Sequence, residues 1–334
     1  MARADVLKKL LLTYQRRDDC AFREVVAQII EDERRKHHSV LANELEQIIN
    51  NGKGDVPARN GFTAFDRPPV DADKGVPLLE VRHPDRYFDD LVLEPAIAKL
   101  LERVVYEFRS WEVLEANGLS PTRRVLFCGP SGCGKTVAAE AIASELGLPM
   151  LHVRFDAVVS SLLGETASNL RKVFDYAQRG QWVMFFDEFD AIGRSRDDPT
   201  EHGEIKRVVN SFLQILDNFK GRSLVIAATN FERAIDPAIW RRFDDMVRFE
   251  KPSPEQLRRL IEKRLKPAQF TTTQVKGLVA GLGNATYADA ERVCLDIRKL
   301  CTLEGRRKVE PQDISDALER YAYCQSIFEE LITD

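Results

Sequence analysis

An eight-residue segment of this chain combines glycines, a lysine and a hydroxyl in an order suited to binding phosphate groups. The segment is Gly129-Pro130-Ser131-Gly132-Cys133-Gly134-Lys135-Thr136. The glycines let backbone N–H groups turn inward around a triphosphate, and Lys135 adds a positive charge at its outer phosphates. The hydroxyl of Thr136 can ligate magnesium. The pattern predicts a site for a nucleoside triphosphate and Mg²⁺ that extends from Gly129 to Val137.

The residues on either side of this segment support the same interpretation. Residues 124–128 are typical of a short buried strand, and residues 137–143 are typical of the start of a helix. A helix that begins at the phosphates places the positive end of its dipole against their negative charge. If the glycine-rich segment matched the phosphate-binding pattern only by chance, a strand before it and a helix after it would not be expected.

Two acidic residues follow a second apolar stretch. Trp182 to Phe186 is apolar throughout, and Asp187 and Glu188 come directly after it. Ligands of open parallel sheets bind at the carboxyl ends of the strands. Asp187 can therefore hold magnesium, and Glu188 can polarise an attacking water. Taken alone, the pair could also be a solvated turn after a buried strand.

Polar residues at two further places could contact the same phosphates. Asn230 follows the apolar run 224–228 and could orient a water beside the terminal phosphate, although an asparagine also starts many turns. Arg241 and Arg242 lie between aromatic residues. They could form a structural cation–π cluster, or they could stabilise charge on a transferring phosphoryl group, in cis or in trans.

Strand and helix patterns alternate between residues 86 and 250. We predict strands at 124–128, 150–154, 182–187, 224–228 and 246–249, and helices at 94–109, 136–146, 166–179 and 203–218. This alternation predicts an α/β fold with a parallel sheet covered by helices on both faces.

The remaining residues divide into three further parts. Residues 1–50 carry helical periodicity and are predicted to form a small domain that binds a partner or mediates oligomerisation. Residues 51–85 contain breaker clusters and prolines and are predicted to be a linker. We predict a large domain over residues 86–252 and an all-helical domain over residues 253–334.

The order of these motifs resembles the AAA+ ATPases, and more narrowly the AAA branch that contains protein unfoldases and severing or disassembly enzymes. The resemblance covers about residues 86–334 and implies a P-loop NTPase fold with a helical lid. It implies a ring, often a hexamer, with ATP and Mg²⁺ bound between neighbours. Arg241 and Arg242 would then reach the nucleotide of the next subunit.

The same resemblance assigns roles to weaker matches. It implies adenine contacts by Asp90, Leu91 and Val92, and it places the turn at residues 284–289 near the ribose. Leu162 aligns with the first pore loop, where relatives that thread polypeptide usually carry an aromatic residue. This leucine could grip a chain, or it could pack on its own domain.

Composition limits the remaining classes of function. The net charge is −4, from 49 basic and 53 acidic residues, which argues against a nucleic-acid motor with a general polyanion-binding surface. The six cysteines include no CxxC pair, and no apolar run approaches the ~18 residues of a membrane span. These features predict a cytoplasmic protein without membrane or nucleic-acid partners.

Two functions remain after these exclusions. The preferred interpretation is a Mg-ATP-hydrolysing ring that remodels, unfolds or disassembles a protein partner. The alternative is a regulatory ATPase whose assembly controls a separately encoded effector, for example a protease or nuclease.

Overall fold

A single six-stranded sheet forms the centre of the protein. The computed structural model describes residues 19–35, 68–71, 75–158, 163–189, 202–230 and 237–333. The strands are β1 (Leu79–Arg82), β2 (Arg124–Cys128), β3 (Met150–Val153), β4 (Val183–Phe186), β5 (Leu224–Thr229) and β6 (Asp245–Arg248). Their order is β1-β3-β4-β5-β2-β6. β1 pairs antiparallel with β3, and all other pairs are parallel.

Helices precede, separate and follow these strands. They are α1 (Asp19–Arg35), α2 (Pro95–Arg109), α3 (Trp111–Ala116), α4 (Lys135–Leu146), α5 (Phe155–Val158), α6 (Leu163–Ala177), α7 (His202–Asn218), α8 (Pro237–Trp240), α9 (Pro254–Leu265), α10 (Thr272–Leu282), α11 (Tyr287–Leu303) and α12 (Pro311–Thr333). The α/β fold class predicted from the sequence is confirmed. The five predicted strands lie within one residue of their predicted ends.

The sheet is buried on both faces, which explains why its central strands are apolar throughout. In β4, Met184 and Phe186 join the cluster beneath α6 and α7, whereas Val183 and Phe185 join the cluster beneath α2 and α4. All four side chains are fully buried. Because successive residues of a strand point to opposite faces, an uninterrupted apolar strand requires helices on both sides.

Strand β1 lies inside the segment that the sequence predicted to be a linker. Leu78 and Leu79 are buried, and residues 79–82 pair with residues 150–153. A four-residue strand carries too little periodicity to stand out among prolines. Its conformation depends on pairing with β3, which is distant in sequence and cannot be seen locally. The sheet therefore begins upstream of the predicted boundary at residue 86.

A buried polar contact fixes the chain before β1. Asp71 is 3% exposed and accepts a hydrogen bond of 2.7 Å from the side-chain amide of Asn169 on α6. Backbone hydrogen bonds close a turn between Asp71 and Val76, and Leu78 N–H donates to Pro69 O. The residues just before the sheet are thus attached to α6.

The chain after β6 is helical, as the sequence predicted. Helices α9 to α12 enclose their own apolar cluster, which includes Ile261, Leu278 and Ile297. Ser253 caps α9 by accepting from Gln256 N–H, with Pro254 as the first helical residue. Such a cap satisfies an N–H group that the helix itself cannot.

Helix α1 is the described part of the predicted N-terminal helices. It continues through the polar residues 31–35, and Val26 and Ile30 are buried. The other helices predicted before residue 50 lie outside the described residues. Among the helices of the described ranges, none is both long and apolar enough to cross a membrane.

Removing the Asp71 carboxylate should destabilise the protein. Asp71→Ala leaves the buried amide of Asn169 without this acceptor, and an unsatisfied buried group costs about 1–3 kcal/mol. The free energy of unfolding, measured by urea denaturation, should fall by that amount. Asp85→Ala, at an exposed position in the same region, is the control. Equal stability of the two variants would contradict the anchoring role of Asp71.

Candidate active site

The glycine-rich loop connects the end of β2 with the start of α4 at the carboxyl edge of the sheet. Gly129, Gly132 and Gly134 have φ angles of +135°, +72° and +95°. L-residues with side chains rarely adopt these values, so the loop needs glycine at these places. A Cβ atom on Gly129 would lie 2.0 Å from Phe249 O, which closes that position to any side chain.

Lys135 is held by three hydrogen bonds although it is almost completely buried. Its side chain donates to Gly129 O at 2.7 Å, to Pro130 O at 2.9 Å and to Asn230 Oδ1 at 2.8 Å. The residue is 6% exposed. Because an ammonium has three N–H donors, these contacts satisfy it fully. They also bring together two predicted site residues, Lys135 and Asn230, that follow different strands.

A second contact joins the loop to the end of β4. The Thr136 hydroxyl donates to Asp187 Oδ2 at 3.0 Å, and the other carboxylate oxygen accepts from Glu188 N–H at 2.9 Å. The hydroxyl and the carboxylate lie close enough to ligate one ion. Hydroxyl and carboxylate oxygens are the donors that Mg²⁺ prefers, so this pair fits the predicted metal.

Glu188 has an unusual backbone conformation. Its φ angle is +51°. Among the described residues, Glu188 is the one residue other than glycine that has a positive φ angle. A left-handed conformation costs an L-residue about 1–2 kcal/mol. Such strain persists where the surrounding structure enforces it, often at functional sites. Here it turns the chain directly after Asp187.

His152 lies beside Asp187 and was not identified from the sequence. Its Nε2 is 4.0 Å from Asp187 Oδ2, and its ring packs near Phe185 on the neighbouring strand. Burial, with a smaller contribution from Arg82, holds the pKa of His152 below its usual range. A lone histidine in an apolar strand carries no motif. Only the pairing of β3 with β4 brings it to the acidic residues.

The two predicted arginines lie at the opposite end of the sheet from the loop. Asp244, which follows them, exchanges hydrogen bonds with the backbone of Arg124 at the first residue of β2. The glycine-rich loop begins after Cys128, about 13 Å further along this strand at ~3.3 Å per residue. Arg241 and Arg242 therefore do not meet the loop of their own chain.

The environments of the two arginines differ. Arg242 Nε is 3.2 Å from Asp217 Oδ2 on α7, and its side chain is 51% exposed. Arg241 is exposed, and its guanidinium has no hydrogen bond or ion pair with the residues that the structure describes. Arg241 is thus available to a group outside this part of the chain.

The segment predicted to contact adenine joins the sheet layer to the C-terminal helices. The Asp90 carboxylate accepts from Tyr87 N–H at 3.0 Å within a short 3₁₀ turn. Leu91 packs on the cluster beneath α2 and α4, whereas Val92 is 6% exposed within the cluster of α9 to α12. The three residues therefore point to three different environments.

The turn before α11 rests directly on the glycine-rich loop. Ala288 N–H donates to Gly132 O at 3.1 Å, and a Cβ on Gly132 would lie 2.7 Å from Thr286 Oγ1. The sequence placed this turn near the ribose but gave no sign of contact with the loop itself. Leu162 lies outside the described residues.

Residues 125–251 match the family described as ATPase family associated with various cellular activities (AAA). An uncharacterized AAA family ATPase, y4kL of Sinorhizobium fredii, is 39% identical over 96% of this chain and 95% of its own length. Two proteasome-activating nucleotidases are more distant. That of Saccharolobus islandicus is 30% identical over 84% of this chain and 74% of its own length. That of Methanoculleus marisnigri is 31% identical over 72% of this chain and 61% of its own length.

These similarities extend over the glycine-rich loop, the acidic residues after β4 and the arginines before β6. They agree with a mostly parallel sheet followed by helices, and with the nucleotide-binding pattern of residues 129–136. The protein belongs to the AAA family of ATPases.

Proposed function

We propose that the protein is a Mg²⁺-dependent ATPase that assembles into a hexameric ring and remodels, unfolds or disassembles a protein partner. The observation that carries the proposal is the convergence of three strand ends on one loop. Lys135 contacts Asn230, and Thr136 contacts Asp187, so the ends of β2, β4 and β5 meet there.

Different residues bind the phosphates, the magnesium ion and the adenine of the nucleotide. The backbone N–H groups of residues 131–137 surround the phosphates, and the charge of Lys135 binds the outer phosphates. Thr136 and Asp187 hold Mg²⁺, which when bound neutralises charge on the phosphate oxygens. Asp90, Leu91 and Val92 contact the adenine.

Glu188 and Asn230 act on the water that attacks the terminal phosphate. Glu188 polarises this water and accepts its proton, and its left-handed backbone turns the chain directly after Asp187. Asn230 orients the water, and its side chain lies beside Lys135, with Oδ1 2.8 Å from Lys135 Nζ. His152 adds a further polar side chain to the site, beside Asp187.

The position of the arginines supports a ring. Arg241 and Arg242 lie at the far end of β2 from the loop of their own chain, a location that suits a role toward the nucleotide of a neighbour. Arginines contributed in trans stabilise charge in phosphoryl transfer. Exposure of both side chains leaves them accessible to that neighbour.

The partner is a protein. Two relatives are named proteasome-activating nucleotidases, a name that connects their ATPase activity with a protein complex. In this chain Leu162 would contact the polypeptide, and residues 1–50 would bind the partner or mediate oligomerisation. Five cysteines are free thiols, which supports a cytoplasmic location; they are Cys128, Cys133, Cys294, Cys301 and Cys324.

Two substitutions should separate binding from hydrolysis. Lys135→Ala removes the charge contact with the phosphates and should abolish ATP binding, measured by isothermal titration. Glu188→Gln keeps the shape of the side chain but removes the base, so it should bind ATP normally and hydrolyse it at least about 100-fold more slowly. Hydrolysis by Glu188→Gln at the native rate would show that Glu188 is not the base.

Mixing experiments test the arginines. The variants Arg241→Ala/Arg242→Ala and Glu188→Gln should each be inactive. Together they should recover part of the ATPase rate, because some interfaces then combine an intact Glu188 with intact arginines. Arg320→Ala, which removes an arginine with a side chain that is 74% exposed, is the control and should be active alone. Full activity of a monomer at nanomolar dilution would contradict the ring.

A further inference from the structure

The glycine-rich loop and the C-terminal helices are joined by one backbone hydrogen bond. Ala288, the second residue of α11, donates its N–H to Gly132 O at 3.1 Å. The fit around this bond is close, because a Cβ on Gly132 would lie 2.7 Å from Thr286 Oγ1 and 3.2 Å from Ala288 Cβ. The start of α11 thus packs directly against the loop at Gly132.

This bond determines the direction of the next N–H group in the loop. The carbonyl of Gly132 and the N–H of Cys133 belong to the same peptide unit, which is trans. In a planar trans peptide these two groups point in opposite directions. Because the Gly132 carbonyl points to Ala288, the Cys133 N–H must point to the other side, away from α11.

The neighbouring groups hold both ends of this bond in place. Cys133 is 2% exposed, and its side chain lies in the apolar cluster beneath α2 and α4. On the other side, Thr286 Oγ1 accepts from Asp289 N–H at 3.2 Å, and the Asp289 carboxylate accepts from Thr286 N–H at 3.2 Å. This capping box fixes the start of α11.

We propose that Ala288 is a positioning residue for nucleotide binding: its N–H orients the Gly132–Cys133 peptide so that the Cys133 N–H points at the phosphates of the bound nucleotide. The inference rests on the nucleotide site of the proposed function. It adds that the C-terminal helices take part in forming the phosphate-binding loop.

Coupling between the two contacts follows from this geometry. A phosphate that accepts the Cys133 N–H stabilises the peptide orientation in which Gly132 O faces Ala288. The contact of α11 with the loop therefore strengthens nucleotide binding by some factor. By linkage, bound nucleotide must strengthen that contact by the same factor.

Proline at residue 288 tests the bond directly. Ala288→Pro removes the N–H at the second position of a helix, where no intrahelical hydrogen bond is lost. The dissociation constants of ADP and ATP should rise about three- to tenfold, as expected for one hydrogen bond. The KM for ATP should rise by the same factor while kcat is unchanged, because ground state and transition state lose the same contact.

Two controls separate this role from a general effect on folding. Ala288→Ser keeps the N–H and should bind ADP as the native protein does. Thr273→Pro places proline at the same position of α10, at an exposed residue, and should also leave ADP affinity unchanged. Native ADP affinity in folded Ala288→Pro, or an equal loss in Ala288→Ser, would overturn the proposal.

Hydrogen exchange of the native protein gives a second test, which requires no substitution and therefore does not depend on whether a variant folds. The amide of Ala288 should exchange about three- to tenfold more slowly when ADP is bound, by the linkage stated above. An unchanged exchange rate at saturating ADP would overturn the coupling. If the native protein binds no ADP or ATP, the proposed function fails instead, and this outcome is distinct from normal binding without protection of Ala288.

Discussion

An ammonium group buried at the edge of an apolar sheet requires acceptors, and much of the site follows from this requirement. Lys135 finds two of them in the carbonyls of Gly129 and Pro130 and the third in Asn230. The loop must therefore curve around its own lysine, which only glycine dihedrals allow. Since an unpaired buried charge would cost several kcal/mol, the end of β5 must also lie beside the end of β2.

The parallel register provides that proximity. Cys128 at the end of β2 lies opposite Thr229 of β5, and Phe186 of β4 lies opposite Ala227. The residues that follow these strands consequently emerge at one edge. Helices on both faces hold the register, because a shift by one residue would exchange the two apolar faces.

The sequence predicted those parts of the fold whose signals are local. The apolar runs of β4 and β5 and the glycine-rich loop are such signals, and Lys135, Thr136, Asp187 and Asn230 meet as their positions after strands implied. The features that were missed depend on contacts between distant segments. β1 needs β3 for its conformation, His152 meets Asp187 only across two strands, and Ala288 reaches Gly132 from 156 residues further along the chain.

The attachment of Asp71 to Asn169 determines where a mechanical load on the N-terminal segment enters the protein. A pull on residues before position 68 acts first on the turn at Asp71 and through it on α6. Helix α6 begins directly after Leu162. Asn169 lies near the middle of this helix, so the contact with Asp71 passes such a load to α6 at its centre rather than at an end.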